Sequence, residues 1–337
     1  MAVKSFRQAL NEALFEEMRR DPTVIVMGED ICGGAGAAGE DDAWGGPFGV
    51  TKGLFGEFGR ERVLDTPISE SAFIGAAAGA AARGLRPVAE LMFCDFLGVC
   101  FDQIFNQAAK FRYMFGGKAV TPMVVRMMFG AGLRAASQHS QSLYPIFTHI
   151  PGLKVAIPSS AYEAKGLLTQ AVRDDDPVMF LEHKAMYDME EEVPDEPYVI
   201  PFGEANLTRE GDDVTVVAIG RMVQLANQVA DELDKDGIGC TVLDPRTTSP
   251  LDADAIIESV EDTGRLVIVD EAYPRCSVAT DISALACRHA FAALKAPVHM
   301  VTAPHAPVPF SPELEDAYVP SVDKIETAVR EVMAYAK

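Results

Sequence analysis

Basic residues are scarce in this chain: 29 Lys and Arg stand against 50 Asp and Glu, a formal net charge of −21. A surface this acidic repels phosphates, which argues against nucleic acid or anionic membrane as a partner and leaves solubility as the plain reason for the charge. Cysteine is sparse as well. Cys32, Cys94, Cys100, Cys240, Cys276 and Cys287 form no C-x-x-C and none of the spacings of a zinc site, so they read as reduced, mostly core thiols of a cytoplasmic protein. No apolar run approaches the length of a membrane span, and the opening MAVKSFRQALNEALFEEMRRD is an amphipathic helix with acids inside it rather than a signal peptide. H-E-x-x-H, G-x-S-x-G, the Walker lysine motif and repeats of solenoid period are all missing. What is present is a chain of 337 residues, 48% hydrophobic, long enough for two buried cores.

Apolar runs rich in β-branched residues alternate with helical periodicity along that length, the pattern of parallel α/β sheets. In the first half, strands are expected at 23–27, 87–91, 121–128, 154–157 and 178–181, and helices at 98–115 and 161–173. The charged, three-proline segment MEEEVPDEPYVIP reads as an exposed linker over 189–201, separating domains at 1–188 and 202–337. Beyond it, strands at 214–219, 240–243, 266–269 and 298–301 alternate with helices at 223–235, 253–260, 278–293 and 322–335, a second doubly wound sheet. The glycine-rich loop after the first strand holds a formal G-x-G-x-x-G at Gly34, Gly36 and Gly39. Glu40, Asp41 and Asp42 follow where a pyrophosphate would lie, so the match is discounted as a dinucleotide site. Trp44, the sole tryptophan, reads as an anchor of that loop.

The stretch DTPISESAFIGAAAGAAARG, residues 65–84, is the best-marked helix. Thr66 and Ser69 are cap candidates, Pro67 suits a first turn, and Arg83-Gly84 supplies a cation and a C′ glycine at the end. Its alanines with Gly75 and Gly79 make a smooth surface that another backbone can approach closely. Glu70 sits in the first turn, where the helix dipole favours an anion. That alone describes a dipole-compensating glutamate. Glu29 follows the first strand, where α/β proteins place their sites, and His139 lies in the polar loop GAGLRAASQHSQSLY after another strand, a fair acid/base candidate. Phe93 and Phe96 fall at a strand end, and His305 in APHAPVPFSP reads as part of a rigid surface turn.

The runs VIVMGED, VLDTPISESAFIGAAAGAAARGLRPVAELMF, FDQIFNQAAKFRYMFGGK, ASQHSQSLY, IPGLKVAIPSSAYEAKGLL, DDDPVMFLEHKAMY, LDPRTTSPLD and VDEAYPRCSVATDI span the chain. In them it resembles the β subunits of the thiamine-diphosphate-dependent dehydrogenase components of 2-oxo-acid and acetoin dehydrogenase complexes. The resemblance implies a transketolase-like pyrimidine-binding domain followed by a transketolase C-terminal-like domain. It also implies an α chain that holds the diphosphate and magnesium in a heterotetramer of two α and two β chains, working with a lipoyl-bearing acyltransferase core. The α-type Gly-Asp-Gly motif is absent here, as half a site requires; Gly211-Asp212-Asp213 and Lys235-Asp236-Gly237 both depart from it. By the same resemblance Glu70 matches the acid that grips the aminopyrimidine, Glu29 a proton-relay acid, Phe96 an aromatic against the pyrimidine, and His139 the active-site histidine. Met123, Ala171, Val172, Asp174 and Asp176 match a potassium site built mostly of main-chain oxygens, Asp176 standing where asparagine is common. The long glycine-rich loop, QHSQSLY and APHAPVPFSP look more like acetoin than pyruvate enzymes. A pyruvate or branched-chain 2-oxo-acid β chain, a non-catalytic scaffold and an independent NAD enzyme are the alternatives.

Overall fold

The computed structural model describes residues 1–32 and 45–335; Gly34, Gly36, Gly39, Glu40, Asp41, Asp42 and Trp44 lie outside the described residues. The chain divides into two compact units, Met1–Phe129 with Ile146–Glu182 and Met186–Phe202, and Gly130–Pro145 with His183–Ala185 and Gly203–Lys337. Two short pieces of the expected first domain, one of them carrying His139, thus cluster with the second unit.

The chain opens with β1 (Ala2–Ser5), α1 (Phe6–Arg20), β2 (Val24–Gly28), α2 (Leu54–Phe58), β3 (Val63–Asp65), α3 (Glu70–Ala82) and β4 (Arg86–Phe93). After a 3₁₀ turn at Cys94–Phe96 come α4 (Leu97–Asp102), a π-helical turn at Gln103–Ala108, α5 (Phe111–Met114), β5 (Val124–Phe129), α6 (Tyr144–Thr148), β6 (Lys154–Ala156), α7 (Ala161–Arg173), β7 (Val178–His183) and β8 (Glu190–Val193). The main strands of the first unit stand in the order β6-β7-β5-β4-β2-β3. Their registered pairs, such as β2 with β3 and with β4, are parallel. Helix α1 starts on a Ser5/Gln8 capping box and buries Phe6, Leu10, Leu14 and Met18 in the same core as Leu167 and Leu168 of α7. Each such side chain contributes about 2 kcal/mol by leaving water.

The long helix expected over 98–115 is instead broken into short pieces, because Cys100 (φ −124°, ψ 15°) leaves helical geometry and the chain then widens into the π turn. The 189–201 segment is not a free tether. Residues 190–193 pair antiparallel with β1, and the Ile200 N–H donates to the Gly166 carbonyl at 3.2 Å. Gly166 is required there: a Cβ would come within 2.6 Å of Ile200 and 2.7 Å of Tyr198.

In the second unit β9 (Asn206–Arg209), β10 (Val214–Ala218), α8 (Met222–Asp234), β11 (Cys240–Asp244), β12 (Thr247–Ser249), α9 (Ala253–Thr263), β13 (Leu266–Asp270), α10 (Val278–His289), β14 (His299–Thr302), α11 (Pro312–Tyr318) and α12 (Val322–Ala334) follow. The sheet order is β14-β13-β10-β11-β9, parallel except for β9, an antiparallel edge strand that the sequence pattern did not reveal. Both units are α/β and wound in parallel, as the alternating pattern requires. All six cysteines are free, four of them buried. Among the described residues no helix is long and apolar enough to cross a membrane.

Candidate active site

Helix α3 begins at Glu70, with Ser69 as its N-cap residue. Pro67 lies outside the helix, and Ser69 does not cap with its side chain: the hydroxyl donates to the Pro67 carbonyl at 3.0 Å. The Ser69 N–H turns instead to Glu29. The C-terminal expectation holds, with Arg83 as C-cap and Gly84 at φ +99°. On the inward face Phe73, Ile74, Ala77, Ala78 and Ala81 are buried, while Ser71, Ala72, Ala76, Gly79 and Ala82 form an exposed stripe of small residues. Glu70 is half-buried at the head of that helix.

Glu29 is the first residue after β2 and only 7% exposed. Burial pushes its carboxyl above the usual range, and the nearby Glu70 charge pushes in the same direction. Its Oε1 is buried with no hydrogen-bond partner among the described residues. A buried carboxylate oxygen left without a donor is costly unless a ligand, water or proton satisfies it, so this corner fits a bound group that offers a polar edge. Phe96 closes the 3₁₀ turn after β4 and meets Phe93 edge-to-face at 5.6 Å. Phe93 in turn packs edge-to-face on Phe48, which stacks on Tyr187. Glu29, Glu70 and Phe96 all belong to the first unit; His139 belongs to the second.

Behind these residues lies a network that the sequence reading missed. Arg126 of β5, 1% exposed, forks onto Glu182 of β7 with two bonds of 2.7 Å and reaches Glu90 of β4 at 2.8 Å. Tyr187 donates to Glu182 at 2.7 Å. Burial alone would lower the pKa of the guanidinium, but Glu182 and Glu90 more than offset it and raise it. Glu90 is the acid left over: burial pushes it up despite Arg126, and its Oε1 has no partner among the described residues. The signal was a single charge inside each of three apolar runs, RPVAELMF, VVRMMF and VMFLEH. Removing one member of such a buried set costs about 3–5 kcal/mol.

In the second unit, His139 is held through its backbone. The Lys184 ammonium donates to the His139 carbonyl and, at 2.8 Å, to the Ser140 hydroxyl. Glu271, the first residue after β13, accepts from the Ala131 N–H at 2.6 Å and pairs with His183 Nε2 at 2.8 Å. The Ala185 N–H donates to His183 Nδ1 at 3.2 Å, so Nε2 carries the proton that Glu271 receives. Burial would raise the Glu271 carboxyl, yet His183 and the Ala131 N–H outweigh it and lower the pKa. Tyr144 donates to Asp270 beside it. His305 meets Tyr273 edge-to-face at 6.0 Å.

At the expected cation site four of the five carbonyls already accept a hydrogen bond. Arg86 Nη1 donates to the Val172 and Asp174 carbonyls at 3.1 and 2.9 Å, Val178 N–H to Met123 at 2.9 Å, and Asp174 N–H to Ala171 at 3.3 Å. Lys154 holds the Asp174 carboxylate at 2.7 Å, and Arg112 pairs with Asp176. An ion bound to the same two carbonyls as Arg86 would sit beside a fixed positive charge, so these residues fit potassium poorly.

Residues 3–189 match the transketolase pyrimidine-binding domain and residues 203–325 the transketolase C-terminal domain. The chain is 63% identical over 333 residues to the acetoin:2,6-dichlorophenolindophenol oxidoreductase subunit beta of Cupriavidus necator, covering 99% of this chain and 98% of that one. The protein of the same name from Bacillus subtilis is 57% identical, over 98% of this chain and 97% of that one. The 2-oxoisovalerate dehydrogenase subunit beta of Bacillus subtilis is more distant at 43%, covering 99% of this chain and 100% of that one. A split-gene transketolase, solved as an inactive β4 tetramer, shares the fold with a TM-score of 0.77 at 21% identity, over 99% of both chains.

Proposed function

The chain belongs to the β subunits of the thiamine-diphosphate-dependent dehydrogenases, and from that premise we propose that it is the pyrimidine-gripping half of an acetoin dehydrogenase. The observation that carries the acetoin reading is the gap between relatives: 63% and 57% identity to acetoin-named β subunits, against 43% and 44% to a 2-oxoisovalerate and a pyruvate dehydrogenase β subunit.

Bound thiamine diphosphate would supply the nucleophilic carbon and the electron sink that cleavage between two oxygenated carbons requires. This chain's part is to orient and to move protons. Glu70, at the start of α3, is assigned to bond a pyrimidine ring nitrogen and so to fix the tautomer of the ring; its half-buried position at the helix head supports that role. Glu29, with its raised pKa and unpartnered Oε1, is suited to keep a proton and relay it. Phe96 offers an aromatic face to the same ring. His139 serves as the acid/base group that protonates and deprotonates oxygens of the substrate. Acetaldehyde would leave, and the remaining two-carbon unit would open the lipoyl disulfide, one sulfur becoming the acetyl thioester and the other taking the electron pair and a proton as a thiol.

The subunit naming of the relatives implies an α chain. We further assign the diphosphate and magnesium to that chain, the assembly to two α and two β subunits with an acyltransferase core, and the complex to the cytoplasm. No step depends on potassium.

The test is an assay of the chain assembled with its α partner, using a dye acceptor and either acetoin or pyruvate. Turnover is expected on acetoin, with kcat/KM at least about 100-fold above that on pyruvate, a gap of roughly 2.7 kcal/mol in transition-state binding. Activity on pyruvate alone removes the assignment.

A further inference from the structure

The segment bearing His139 is shaped by three side chains that act on its backbone or its base. Glu271 closes the base: its Oε1 accepts from the Ala131 N–H at 2.6 Å and lies 3.5 Å from the Ser142 hydroxyl, so one oxygen spans the two ends of the loop. The Gly130 N–H donates to the Gln141 carbonyl at 3.3 Å alongside it. His183 fills the space under this base, and a Cβ on Gly130 would stand 2.3 Å from its Nε2, so glycine is obligatory. Glu315 of α11, fully buried, grips the outgoing limb: it accepts from the Gly132 N–H at 2.8 Å, the Arg134 N–H at 3.1 Å and Arg134 Nη1 at 2.7 Å. Lys184 pins the returning limb at His139 and Ser140. Between the grips the chain passes through two left-handed non-glycine residues, Arg134 (φ 56°) and Ala136 (φ 61°), a conformation that persists only when its surroundings dictate it.

We propose that Glu271 and Glu315 are positioning residues for His139, setting where its ring stands without touching substrate or cofactor. The proposal rests on the reading of His139 as the acid/base group. Two carboxylates from distant parts of the chain therefore act on a loop that neither adjoins in sequence. A small displacement of a proton-transfer group lowers the rate of the chemical step while leaving substrate affinity in place.

The experiment measures acetoin turnover by the assembled complex for Glu271→Gln, Glu315→Gln, His139→Gln and the doubles with His139→Gln, together with amide hydrogen exchange over residues 131–140. Each glutamine is nearly isosteric and keeps one oxygen acceptor, and Glu315→Gln serves should Glu271→Gln not assemble. The expected result is a fall in kcat of about tenfold at near-constant KM. Faster exchange at Ala131 or Gly132 should accompany it, with less than about twofold further loss when either change is added to His139→Gln. Multiplicative losses in the doubles, or an unchanged kcat in both single glutamate variants, overturn the positioning role. An unchanged kcat in His139→Gln overturns it at the root, by removing the acid/base reading of His139 itself.

Discussion

Glu29 and Glu271 occupy matching places in the two units. Each is the first residue beyond a parallel strand, β2 or β13, that lies one in from the edge of its unit's sheet. Both are buried, at 7% and 4% exposure, yet their environments differ in kind. Glu271 has partners on both oxygens and its pKa is lowered; Glu29 keeps one oxygen without a partner among the described residues and its pKa is raised. The same position thus yields a structural brace where donors are supplied and a poised acid where they are withheld. What marks a candidate for chemistry is the unfinished hydrogen bonding, and burial alone does not.

Glu70→Gln tests the poised side hardest. It should lower kcat on acetoin by about 10³-fold while the circular dichroism and assembly of the complex stay intact. Full turnover would leave the chain a scaffold and end the comparison. Stability separates the two acids next. Glu271→Ala strands the Ala131 and His183 donors and should cost about 3 kcal/mol in urea unfolding, whereas Glu29→Gln, which strands nothing already paired, should cost under about 1 kcal/mol. Equal costs would mean that the missing partner of Glu29 has no energetic meaning.

The pH dependence carries opposite signs. Glu29, raised, makes a contribution that is present below the ordinary carboxylate pKa and lost as pH rises through its folded value. Glu271, lowered, makes one that is present above the ordinary value and lost as pH falls through its folded value. Unfolding free energies of Glu29→Gln and the parent should therefore diverge as pH rises above the ordinary carboxylate range, the variant lacking the alkaline-side loss. Parallel curves would contradict the raised value. The smallest effect is expected at Asp174, an acid already paired with Lys154 and whose carbonyl serves Arg86. Exchanging potassium for sodium should move the thermal midpoint by less than about 1 °C, where a bound ion at 100 times its Kd would add about 2.7 kcal/mol.

The two acids were not equally legible in the sequence. Glu29 and Glu70 could be found because each stands at a recognisable boundary, a strand end and a helix start, inside runs shared with a known family. Glu271 also follows a strand inside a shared run, VDEAYPRCSVATDI, but its role was hidden, since its partner Ala131 lies 140 residues away and offers only a backbone N–H, which leaves no trace in residue type. Glu315 and Lys184 were hidden for the same reason. Glu90, Arg126 and Glu182 left a visible trace, one charge in each of three apolar strands, though nothing local told which charges would meet. The unbroken helix over 98–115 failed because apolar spacing of three and four does not distinguish a continuous helix from short pieces joined at Cys100.

Along α3, the two faces answer to different judges over evolutionary time. Phe73, Ile74, Ala77 and Ala81 are constrained by this chain's own folding, so drift there is punished in the subunit itself. At Gly79 an added Cβ would meet nothing within 4 Å, and substitution there is invisible to the isolated chain. Any intolerance to change at that position would therefore report a surface outside this chain's own fold.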